Sequence, residues 1–165
     1  MREPIKVLIA DDNRKFCGVL EEFLRQQQDL ILAGVAHDGH ETLKLIQERL
    51  PDIVILDIVM PHLDGLGVLE RLQNCSLDPR PKILVLTALG HEKMTLKSME
   101  LGADYYIVKP FDLEVLVQRL RQLADGQKPP LVQSNIALGI KSVEAEVTRL
   151  LHQMGYRPTS RGINT

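Results

Sequence analysis

Residues 53–69 read IVILDIVMPHLDGLGVL. Four apolar residues, Ile53-Val54-Ile55-Leu56, run straight into one acid, Asp57. Met60-Pro61 and Asp64-Gly65 follow, and then Leu66, Leu69 and Leu72 recur at helical spacing. A short continuous apolar run bounded by turn residues is a strand buried on both faces, and the new period beyond the turn is a helix. In an open parallel sheet, ligands collect outside the carboxyl ends of the strands. Asp57 therefore stands where chemistry is expected.

Working outward, the same strand–turn–helix phrase repeats on both sides. Ile5–Ala10 (IKVLIA) is a strand that ends at Asp11-Asp12-Asn13. Phe16, Val19, Leu20, Phe23 and Leu24 then form one apolar stripe. Leu30–Ala36 is a second strand, and Leu43, Ile46 and Leu50 mark a helix closed by Pro51. Downstream, Ile83–Leu86 is a strand that meets Thr87. Residues 91–101 form a helix, with Met94 and Leu101 inward and Gly102 at its end. Tyr105–Val108 is the fifth strand, followed by Lys109-Pro110-Phe111. Asp112 caps a last helix striped by Leu113, Leu116, Val117, Leu120 and Leu123.

Alternation of this kind predicts an α/β, doubly wound, five-stranded parallel sheet with helices on both faces. Of the two common strand orders, 2-1-3-4-5 suits five strands. It makes strands 1 and 3 neighbours, so Asp11, Asp12 and Asp57 converge at one edge.

The chain has 165 residues, 44% of them hydrophobic and 25% charged, with a formal net charge of −2. Residues 1–125 suit one domain, 126–142 read as a Gly- and Pro-containing linker, and 143–165 open with a helical pattern. No apolar stretch approaches the roughly 20 residues that span a bilayer. The amino terminus lacks a signal-peptide pattern, so the cytoplasm is the expected location, with no membrane partner. Two cysteines, Cys17 and Cys75, make neither a metal spacing nor a disulfide framework. The charge balance carries no nucleic-acid footprint. No phosphate-binding glycine loop follows the first strand.

Two like charges about 4 Å apart repel by roughly 4 kcal/mol at an effective dielectric of 20. Three clustered carboxylates should therefore raise a pKa or recruit a cation. An all-oxygen set suits Mg²⁺, with Ca²⁺ or Mn²⁺ able to substitute. With that charge offset, a phosphoryl group can approach. Thr87 and Lys109, at the ends of strands 4 and 5, offer it a hydroxyl and an ammonium. A carboxylate nucleophile that forms an acyl phosphate is an established chemical role.

These residues resemble the receiver domain of two-component response regulators over about residues 4–125. The matching motifs are D-D-N at 11–13, L-D-I-V-M-P at 56–61, L-T-A at 86–88 and K-P-F at 109–111. The resemblance implies that Asp57 is the phosphoacceptor. Asp11, Asp12 and Asp57 are the implied metal ligands, with the backbone carbonyl of Val59. Lys109 pairs the phosphoryl group, across a cis bond to Pro110. Thr87 and Tyr106 are the implied switch pair: Thr87 turns to the phosphoryl group and Tyr106 swings inward. The face made by helix 4, strand 5 and helix 5 then repacks. The implied protein is a signalling switch rather than an enzyme, loaded by a phosphohistidine-bearing kinase or phosphotransferase, with phosphorylation-dependent dimerisation expected.

H-L-D-G-L at 62–66 and L-E-R-L at 69–72 are most similar to the branch of this family that controls sporulation initiation. That branch binds DNA through a carboxyl-terminal helical domain, and Ser142–Gly155 resembles that domain's first helix. DNA binding is thus expected only through a part this chain lacks. Codons compatible with residues 155–165, read one base out of register, spell G-V-P-A-H-I-K-G-Y-Q-Y, and that domain continues as G-V-P-A-H-I-K-G-Y. Residues 156–165 are accordingly expected to be an out-of-frame tail, which resequencing the gene checks. Two other readings are a stand-alone relay receiver and a magnesium phosphohydrolase. The latter wants an acid two residues after the nucleophile, where this chain has Val59.

Overall fold

The computed structural model describes residues 3–127 and Pro129. Its elements are β1 (Ile5–Ala10), α1 (Arg14–Arg25), β2 (Leu30–Ala36), α2 (Gly39–Arg49), β3 (Ile53–Asp57), α3 (Gly65–Gln73), β4 (Lys82–Thr87), α4 (Glu92–Glu100), β5 (Tyr105–Val108) and α5 (Leu113–Ala124). The five strands pair in parallel in the order β2-β1-β3-β4-β5. This is the doubly wound α/β architecture that the alternation predicts. α1 packs with α5, and α3 packs with both α2 and α4.

The three inner strands hold most of the core. Val7–Ala10, Ile53–Leu56 and Ile83–Leu86 are fully buried, as continuous apolar runs covered on both faces must be. β2 lies at an edge and is covered less completely, with Ile31 exposed. Side-chain caps start four of the five described helices: Asn13 for α1, Asp38 for α2, Asp64 for α3 and Asp112 for α5. Each accepts one of the amide protons that a helix start leaves without a partner. His91, before α4, makes no side-chain cap bond.

The helix faces differ from the expectation in three places. α1 buries Cys17, Leu20 and Leu24, while Val19 is exposed; Phe16 and Phe23 are half-buried beside the core. Leu50 lies outside α2 in a left-handed conformation and is exposed, since the helix stops at Arg49. α4 buries Thr95, Ser98 and Met99, which the pattern does not mark, while Met94 and Leu101 pack half-buried against the core as expected. In α1 and α4 neighbouring elements, rather than helical spacing, choose which side of the helix is covered. The sequence expectations for the linker beyond Gln127, for the helix from Val143 and for the tail at 156–165 lie outside the described residues, apart from Pro129.

α3 begins against the end of β3. The Gly65 amide donates to the Ile58 carbonyl at 2.7 Å. A Cβ on Gly65 would run into the Asp57 carbonyl oxygen, so only glycine permits this approach. No described helix is long and apolar enough to cross a membrane.

Candidate functional site

Four strands deliver side chains to one edge of the sheet. Asp11 and Asp12 follow β1, Asp57 ends β3, Thr87 ends β4 and Lys109 follows β5. Parallel pairing sends every carboxyl end the same way, which is why residues 98 positions apart meet. Carboxylate oxygens of Asp11, Asp12 and Asp57 lie within 4.8 Å of one another. Asp11 is 1% exposed, the Asp57 side chain is 14% exposed, and Asp12 is open to solvent.

Lys109 is the counter-charge. Its Nζ sits 3.1 Å from Asp11 Oδ2 and 3.9 Å from Asp57 Oδ2. Below the ammonium lies the Phe16 ring, 4.8 Å to the centroid, and Phe16 packs edge-on to Phe111 at 6.0 Å. An aromatic face adds electrostatic attraction for a cation without competing for its hydrogen bonds. Asp11 is held on every side. Its Oδ1 accepts from the Asn13 amide at 2.9 Å. Its carbonyl lies 3.2 Å from Cys17 Sγ, which donates to it, and 2.9 Å from His37 Nδ1.

Burial first, and then the Asp11 charge, push the Asp57 pKa up to about 7. The Lys109 ammonium and a backbone hydrogen bond at Val59 oppose the shift. Desolvation and a like charge both disfavour ionisation, so this carboxyl shares a proton with solvent near neutrality. The donor set fits a hard divalent cation: three carboxylates, oxygen only, one buried for rigidity and one open for entry.

Thr87 reaches the same edge but turns away from the acids. Its hydroxyl is 2.6 Å from the hydroxyl of Thr95 on α4. Tyr106 is fully buried. The inward swing implied by the resemblance thus finds the ring already inside, because β5 is covered along all four of its residues. The Lys109–Pro110 bond is cis. His62 is exposed. Sequence reading missed Phe16 as a cation platform, His37 and Cys17 as supports of Asp11, and Thr95 as the partner of Thr87. Phe16 was legible only as part of a helix stripe, and no periodic signal marks the others.

A family model for the response regulator receiver domain matches residues 7–121. The chain belongs to the response regulator receiver family. It is 32% identical to a chain from Chloroflexus aurantiacus J-10-fl described as a response regulator; the match covers 74% of this chain and 99% of that one, with a TM-score of 0.68. It is 30% identical to a signal receiver domain from Bermanella marisrubri, covering 73% and 98%, with a TM-score of 0.67. A receiver domain of a signal transduction histidine kinase from Syntrophus aciditrophicus matches at 27% identity over 81% and 98%, with a TM-score of 0.66. Receiver domains are signalling switches that take Mg²⁺ at an acidic cluster and interact with histidine kinases or other phosphodonors. In this chain the corresponding cluster is Asp11, Asp12 and Asp57.

Proposed function

We propose that this receiver is switched by phosphorylation of Asp57. A carboxylate oxygen of Asp57 attacks the phosphorus of a phosphohistidine. The P–N bond breaks, its electron pair leaves with the imidazole, and an acyl phosphate remains on Asp57. Lys109 moves from Asp11 to pair a phosphoryl oxygen, and the Thr87 hydroxyl donates to another. Mg²⁺ held by Asp11, Asp12, Asp57 and the Val59 carbonyl, or Ca²⁺ or Mn²⁺ in its place, supplies the positive charge that lets an anionic phosphoryl group approach. One observation carries the reading: three carboxylates within 4.8 Å, with an ammonium 3.9 Å from Asp57. Mass spectrometry after incubation with acetyl phosphate and Mg²⁺ tests it. One added phosphoryl group is expected, and none in Asp57→Asn; addition to the variant would sink the assignment.

Val59 and Leu89, two residues beyond Asp57 and Thr87, are each 50% exposed. Neither side chain can orient an attacking water, so the acyl phosphate hydrolyses slowly. A phosphoryl lifetime of only seconds would contradict this.

The downstream reading is also ours. Phosphorylation moves Thr87 and α4 and alters the α4–β5–α5 face, promoting dimerisation and a transcriptional output at the onset of sporulation in the cytoplasm. Support comes from H-L-D-G-L at 62–66, L-E-R-L at 69–72 and the likeness of Ser142–Gly155 to the opening helix of a DNA-binding domain. Deleting the gene in its source organism should abolish spore formation; normal sporulation of the deletion strain would remove this part of the reading.

A further inference from the structure

α4 faces β4 with hydroxyls. Thr95 and Ser98 are buried on that face, and the Ser98 hydroxyl donates to the Thr95 carbonyl at 2.7 Å. Thr87 and Thr95, 3% and 1% exposed, bring their hydroxyl oxygens to 2.6 Å. The Thr95 hydroxyl also lies 2.8 Å from the His91 carbonyl and donates to it. A threonine hydroxyl has one proton and a carbonyl has none. The two contacts can both be hydrogen bonds only if Thr95 gives its proton to His91 and Thr87 is the donor in the 2.6 Å bond.

That assignment sets up a competition. A phosphoryl oxygen on Asp57 can only accept, and Thr87 has one proton to give. Thr87 serves either Thr95 or the phosphoryl group. We propose that Thr95 is a positioning residue of the switch: a hydroxyl acceptor on α4 that holds Thr87 in its resting direction and sets how readily the domain turns on. The inference rests on the reading of Thr87 as a phosphoryl partner and names what that partner must first release. α4 suits the role, since it is the described helix without a side-chain cap and is joined to β4 through an exchangeable hydrogen bond.

Thr95→Val keeps the shape of the side chain and removes the acceptor, leaving the buried Thr87 proton without its partner in the resting state. The switched state, where Thr87 bonds elsewhere, loses nothing comparable. Titration with Mg²⁺ and beryllofluoride, followed by calorimetry, should show Thr95→Val binding about 2- to 10-fold more tightly, the contribution of one net hydrogen bond. Thr95→Ser, which retains the hydroxyl, should stay within about twofold of the unaltered protein. In a Thr87→Ala background the valine should have no effect, because the two residues act through one bond. Equal or weaker binding by Thr95→Val overturns the proposal, as does the same tightening in the Thr87→Ala background. Should circular dichroism show Thr95→Val unfolded, Thr95→Ala takes its place with the same expected sign. Failure of the unaltered protein to bind beryllofluoride removes the phosphoacceptor reading and the latch together; normal binding with an inert Thr95→Val removes the latch alone.

Discussion

Asp57 holds its proton because burial strips its water and Asp11 adds a like charge, with Lys109 only partly compensating. Its folded pKa of about 7 stands above the ordinary 3.8. Between those values the folded state binds more protons than the unfolded one, so stability falls as pH rises. At pH 8 without divalent cations the full penalty applies, on the order of a few kcal/mol. Asp57→Asn should therefore raise the metal-free melting temperature at pH 8, and the gain should vanish below about pH 3, where the carboxyl is protonated in both states. Thermal melts at several pH values check this; a gain that does not change with pH would contradict it. The thiols separate just as sharply. Burial and the Asp11 charge push Cys17 up to about 11, whereas Cys75 is exposed. A thiolate-selective disulfide reagent at pH 8 should modify one cysteine in the native protein and both after denaturation, since the thiolate is the reactive form. Rapid modification of Cys17 in the folded chain would show that it is not shielded.

At the scale of elements, the end of β3 and the start of α3 form one unit. The Gly65 amide is bonded to Ile58, and its Cα lies so close to Asp57 that a side chain meets backbone. Gly65→Ala should cost roughly 1–3 kcal/mol, as overpacking does, because a carbonyl oxygen cannot rotate away. Urea unfolding measures the loss. Phosphorylation should slow as well, since Asp57 shares the displaced backbone. Asp112→Ala offers a contrast at a residue that only caps a helix. It removes the bond from the Glu114 amide at 3.0 Å and should cost about 1 kcal/mol with phosphorylation unchanged.

The whole molecule is tied by contacts between distant parts of the chain. Lys109 reaches Asp11 across the sheet edge, and Arg121 on α5 makes two hydrogen bonds to Asp29, at 2.7 and 2.9 Å. The two ties differ in consequence. Both members of the Arg121–Asp29 pair are more than a third exposed, so solvent screens the attraction and Arg121→Ala should change stability by no more than about 1 kcal/mol. Lys109 instead neutralises an acid that is 1% exposed. Lys109→Met leaves that buried charge without its partner and should destabilise the cation-free fold on the order of 3 kcal/mol. Mg²⁺ should restore part of the loss by binding the native state. Denaturant titrations with and without Mg²⁺ check it, and an equal loss in both would argue against a shared cation site.

Much of this was legible in the amino-acid sequence. Apolar runs ending in Asp11, Asp57 and Thr87 and just before Lys109 set the strands, their parallel order and the edge where those residues meet. Such patterns are local, and handed crossovers leave few ways to assemble them. Tertiary packing decided the rest: Val19 and Leu50 outside, a hydroxyl face on α4, Phe16 beneath Lys109, and Thr87 turned toward Thr95 rather than Asp57. Side-chain direction depends on what an element packs against, and Thr87 meets its hydroxyl partner on α4, which only the packing of that helix brings beside β4.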